Sequence, residues 1–81
     1  MHAQNVTISL DVKNKSITEV LSIIEKKNNL FFTYDYNLFN PKRKISVSLK
    51  NKKIEEILKV VFKGENIGYK IKGKNVVLYK I

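Results

Sequence analysis

Apolar and polar residues alternate along two stretches of the chain. Val6, Ile8, Leu10 and Val12 alternate with Thr7, Ser9 and Asp11, and Ile45, Val47 and Leu49 alternate with Ser46, Ser48 and Lys50. A period of two marks a strand with one buried face. Each stretch therefore predicts a strand, and each ends at a polar turn, Lys13-Asn14-Lys15 and Lys50-Asn51-Lys52. A helical period follows at once. Ile17, Val20, Leu21 and Ile24 fall on one helical stripe that Ile23 widens, and Ile54, Ile57, Leu58 and Val61 repeat it with Val60. Ser16 and Glu19 fit a capping box at the first helix start. Lys53 stands in the equivalent place before the second helix, where Glu55 and Glu56 still favour the positive end of the dipole. Gly64 is placed to end that helix in the left-handed conformation. Further strands are predicted over Leu30 to Tyr34, Ile67 to Lys72 and Asn75 to Ile81, the last two joined by a Gly73-Lys74 hairpin turn.

The two halves are copies of one another. With an offset of 37, ten of the 28 positions from Ile8 to Asp35 are identical to their partners, without a gap. Many of the rest are conservative, such as Val20/Ile57 and Ile24/Val61. Two copies are too few for a solenoid, so they are expected to pack face to face. The order is β-α-β followed by β-α-β-β, an α+β, pseudo-duplicated fold. Residues 1–5 read as a tail and 6–81 as a single domain: repeat one over 6–35, a linker over 36–44 and repeat two over 45–81.

Composition narrows the chemistry. A chain of 81 residues makes one domain with a small core. It has no cysteine, and its one histidine is His2, beside Met1. That leaves no disulfide framework, no nucleophile–histidine set and no usual metal-ligand cluster. The seven acids lie mostly at helix starts or on polar helix faces. Gly64-Glu65-Asn66-Ile67-Gly68 lacks the lysine and the glycine density of a phosphate loop. No enzyme activity, catalytic residue, cofactor or metal is expected. No apolar run approaches the ~18 residues of a membrane span, so no direct membrane insertion is expected.

The net charge of +9 raises the question of an acidic partner. Fifteen of the sixteen basic residues are lysine; Arg43 is the sole arginine, the type preferred for bidentate phosphate and base contacts. Lys, Asn and Ile supply 34 residues, and all three have A/T-rich codons, so genome composition alone can produce this basicity. Three stretches could meet a partner. The first is the linker, with Tyr36 and Phe39 as aromatic anchors and Lys42, Arg43 and Lys44 as steering charges; the opposing reading tucks Leu38 and Phe39 onto the core. The second is the edge of the sheet holding the last strand, although Lys70, Lys72, Lys74 and Lys80 equally discourage strand pairing. The third is Phe31-Phe32, one of which must face away from the core in a regular strand.

The segments SITEVLSIIEKKNNLFFTYD and KISVSLKNKKIEEILKVVFKGENIGYKIKGKNVVLYKI, in this order of elements, resemble the STN domain, the short N-terminal domain of secretins and TonB-dependent receptors. The likeness is strongest to the domain of SusC-like receptors. Phe32-Thr33-Tyr34-Asp35, Leu38, Lys50-Asn51, Glu55-Glu56, Lys63-Gly64 and Tyr69-Lys70-Ile71 carry it, over nearly all of Val6 to Ile81. The resemblance implies two helices held between a two-stranded and a three-stranded sheet. It also implies a periplasmic signalling module that senses substrate occupancy of a transporter and contacts the periplasmic domain of an anti-sigma regulator. The Ala3-Gln4 dipeptide fits a mature periplasmic start, with Met1 and His2 in place of a removed signal peptide. The receptor's plug and barrel would be the other partner, and the isolated domain is expected to be monomeric, without nucleic acid.

Two readings stand beside this one. A secretin periplasmic module would self-associate into rings. A small basic nucleic-acid-binding domain would cluster lysines on one sheet face with exposed aromatics such as Phe31 and Tyr69. The signalling reading expects dispersed lysines and a buried Tyr69.

Overall fold

The alternating stretches form two long strands that pair with each other. In the computed structural model, which describes residues 7–81, the chain runs β1 (Thr7–Ser16), α1 (Ile17–Asn28), β2 (Phe31–Thr33), β3 (Lys44–Lys53), α2 (Ile54–Val61), β4 (Ile67–Lys72) and β5 (Asn75–Lys80). The tail, the Ala3-Gln4 start and Val6 lie outside the described residues. Strands β1 and β3 form a two-stranded antiparallel sheet. The other sheet has the order β2-β5-β4, with β2 parallel and β4 antiparallel to β5. Buried residues of both sheets and both helices meet in one core between them. Ile8, Leu10, Val12 and Val47 come from the first sheet, Val76 and Leu78 from the second, and Ile17, Val20, Ile54 and Ile57 are among the helical contributors. Burying each such side chain contributes about 1.5–3 kcal/mol.

The polar triplets do not end the long strands. Each strand runs through its triplet to the helix cap, and the triplet is a bulge. Asn14 and Asn51 both take φ of 53°, the left-handed region in which asparagine is tolerated. The register slips once on each side, between Val12 and Lys15 of β1 and opposite Ile8 to Leu10. A repeat-related pair of bonds holds the bulges: the Asn14 N–H donates to Ser46 Oγ at 2.9 Å, and the Asn51 N–H donates to Ser9 Oγ at 3.1 Å. The Ser and Asn shared by both repeats are thus the two ends of one bond, made across the sheet in both directions.

Helix α1 carries the expected capping box. The Glu19 N–H donates to Ser16 Oγ at 3.2 Å and the Ser16 N–H donates to Glu19 Oε1 at 3.3 Å. These bonds hold the Glu19 carboxyl below its ordinary range, the backbone bond to Ser16 contributing most. The helix ends at Asn29, which takes φ of 54°. Lys53 has nearly the backbone angles of Ser16 but makes no side-chain cap. Gly64 is left-handed at φ +87°, two residues beyond the Phe62 C-cap of α2.

Candidate functional site

The predicted linker surface divides into parts with different roles. The segment is folded onto the domain by two side-chain-to-backbone turns, Asn37 N–H to Asp35 Oδ1 and Lys42 N–H to Asn40 Oδ1. Its carbonyls also meet the first turn of α1, whose amides have no partner within the helix. The Ile17 N–H donates to the Arg43 C=O at 2.9 Å, and the Thr18 hydroxyl donates to the Pro41 C=O at 3.1 Å.

Phe39 is the correction to the predicted site. It is 7% exposed and packs between Tyr34 and Phe62, with ring centroids 5.1 Å from each. An aromatic ring held in the core cannot anchor a partner. Arg43 donates from Nη1 to Glu65 Oε2 at 2.9 Å, which ties the linker to the loop after α2. Tyr36 is 81% exposed, and Lys42 and Lys44 are exposed later in the same segment. The linker therefore offers one aromatic and two lysines that make no ion pair among the described residues.

The three-stranded sheet has an open outer face. Register places Phe31 and Thr33 of β2, Val77 and Tyr79 of β5, and Lys70 and Lys72 of β4 on it. Phe31 is 56% exposed, while Phe32 is half-buried on the core side, as two-faced strand geometry requires. The Tyr79 ring lies across Gly68: a Cβ there would stand 2.6 Å from Tyr79 Cε1 and 2.8 Å from Cζ. Glycine at this position gives the ring its seat. Tyr69 points to the other face and is half-buried; burial first, then the nearby Glu55, raises its phenol. All fifteen lysines are exposed, and they are spread over every element but β2.

On the core side of the β4 edge lies an open groove of about 320 Å³. Its floor is Leu58 of α2, the C-cap residue Phe62, and Ile67 and Tyr69 from β4, and Lys59 and Lys63 rim it. Sequence reasoning missed this groove. Its residues are 11 positions apart at the extremes and read singly as core, so only the packing of α2 against β4 brings them together. Among the described residues no three His, Cys, Asp or Glu side chains gather where they could hold a metal ion.

Comparison with known proteins now bears on this fold. Residues 32–81 match the family described as the secretin and TonB N terminus short domain. The fold is similar to that of a putative anti-sigma factor from Parabacteroides distasonis, with a TM-score of 0.71 and 24% identity. The likeness covers 96% of this chain and 35% of that one, so this chain spans about a third of that protein's length. No curated protein matches. The family match takes in more than half of the chain, including β3, α2, β4 and β5, and the chain belongs to the STN family, the secretin and TonB N terminus short domain.

Proposed function

We propose that this chain is the periplasmic signalling domain of a SusC-like, TonB-dependent outer-membrane receptor. It relays substrate occupancy of the transporter to an anti-sigma regulator by protein–protein contact, without enzymatic chemistry. The observation that carries the reading is the family match. The spread of the lysines over every element but β2 supports it over a nucleic-acid reading. The domain acts as a coupling element: its affinity for the regulator differs between the loaded and the empty transporter, and that difference is the signal.

One observation favours a second reading within the same pathway. The Parabacteroides distasonis protein of like fold is itself a putative anti-sigma factor. On that reading the chain is the receptor-facing domain of the regulator. The test is an in-frame deletion of residues 7–81 from the native gene, read by substrate uptake and by transcription of the uptake genes. The receptor reading expects uptake to persist while substrate-dependent induction is lost. Induction that survives the deletion sinks both readings. Constitutive or uninducible transcription, with no plug and barrel encoded in the same frame, transfers the assignment to the regulator.

A further inference from the structure

The β4 strand lies at an edge, and its free side can be read residue by residue. The Ile81 N–H donates to the Asn66 C=O at 2.9 Å, which fixes the phase of the ladder. Gly68, Lys70 and Lys72 then exchange bonds with β5, and Ile67, Tyr69 and Ile71 turn their N–H and C=O groups to the open edge. The core-side face of that edge carries the groove floored by Leu58 and Phe62. Lys59 and Lys63 rim the groove beside Glu65, whose carboxylate is held by Arg43, Glu55 stands near the Tyr69 phenol, and Lys70 and Lys72 lie on the outer face of the strand.

Resting on the protein-binding reading above, we infer that this edge accepts an added strand from the partner protein, with an apolar side chain in the groove and acidic side chains on the outer face. Main-chain bonds to Ile67, Tyr69 and Ile71 supply the register, and alternate side chains supply the choice of partner. An apolar residue facing inward packs against the half-buried Ile67 and Tyr69, above the core residues Leu58 and Phe62, while its acidic neighbours meet Lys70 and Lys72. The same lysines repel a second copy of this basic chain, whose own strands would bring like charges into the sheet. The occupant is thus an extended acidic–apolar segment of another protein.

The test uses a ten-residue peptide of alternating valine and glutamate, capped at both ends, titrated into the isotopically labelled 81-residue chain. The site predicts shifts at Ile67, Tyr69 and Ile71 and slowed amide exchange at those three positions. It predicts affinity about tenfold weaker for the double variant Lys70→Glu, Lys72→Glu, and an unchanged affinity for Lys13→Glu on the other sheet. A lysine-for-glutamate peptide should not bind. No shift at millimolar peptide, or shifts confined to the linker or to β1 and β3, overturns the inference. So do edge shifts that grow with protein concentration alone, which would give the edge to a second copy. The peptide reads the edge without any regulator, so its failure leaves the signalling reading to the deletion test, and failure of that test leaves the edge to the peptide.

Discussion

Phe39 and Tyr36 sit in one short loop and have opposite fates. Phe39 fills the space between Tyr34 and Phe62, so Phe39→Ala should destabilise the fold by about 3–5 kcal/mol, read by urea unfolding. Phe39→Leu keeps most of the volume and should lose no more than about 1.5 kcal/mol. Tyr36→Ala, at an exposed position, should stay within about 0.5 kcal/mol of the parent. A large loss at Tyr36 and none at Phe39 would contradict this placement. The sequence left both roles open for Phe39, because one aromatic in a polar loop carries no periodicity to place it. Gly68 is a sharper case. Gly68→Ala should lift the Tyr79 ring and lower stability by about 1 kcal/mol, yet be near neutral in a Tyr79→Ala background. Equal costs in both backgrounds would show that the ring does not rest there. No local signal in the sequence marks this pair; only the register of β4 on β5 makes it.

Among the elements, the helix starts are the best test of local reasoning. The capping box of α1 was legible in Ser16 and Glu19, because capping depends on residues close along the chain. Ser16→Ala should lower stability by about 1 kcal/mol. The Glu19 carboxyl titrates lower in the folded chain than in the unfolded one. Its contribution is therefore present above the unfolded value and is lost as pH falls through the folded value. Glu19→Gln should remove that acid-side dependence, while Ser16→Ala, which keeps the backbone N–H that contributes most, should only reduce it; a Glu19→Gln pH profile identical to the parent's would mean that the box does not hold the charge. Lys53 has the backbone of a cap without the side chain, so Lys53→Ser should raise stability by about 0.5–1 kcal/mol, with Glu56 placed to complete the box. The long strands were legible in their alternation, but their length was not. Lys-Asn-Lys has the composition of a turn, and it becomes a bulge because a serine on the opposite strand receives the asparagine amide. That bond spans 32 residues in one direction and 42 in the other, beyond the reach of a local pattern.

For the whole molecule, the internal repeat carried most of the architecture. Two β-α-β units that each lack a covered face bury them together, which gives one core between two sheets. The docking surface was less visible, since it depends on which strand lies at an edge. The last strand is central, and β4 and β2 flank it. The net charge of +9 belongs to this scale too: it attracts any acidic partner, and salt screens that attraction. The proposed role stands or falls on contact with an anti-sigma regulator. The measurement to make is a calorimetric titration of the purified chain with the periplasmic region of a candidate anti-sigma regulator, at about 50 mM and 200 mM salt. That role predicts a one-to-one complex that weakens as salt rises. A folded chain that shows no binding heat at either salt concentration, with both partners at tens of micromolar or above, would contradict it.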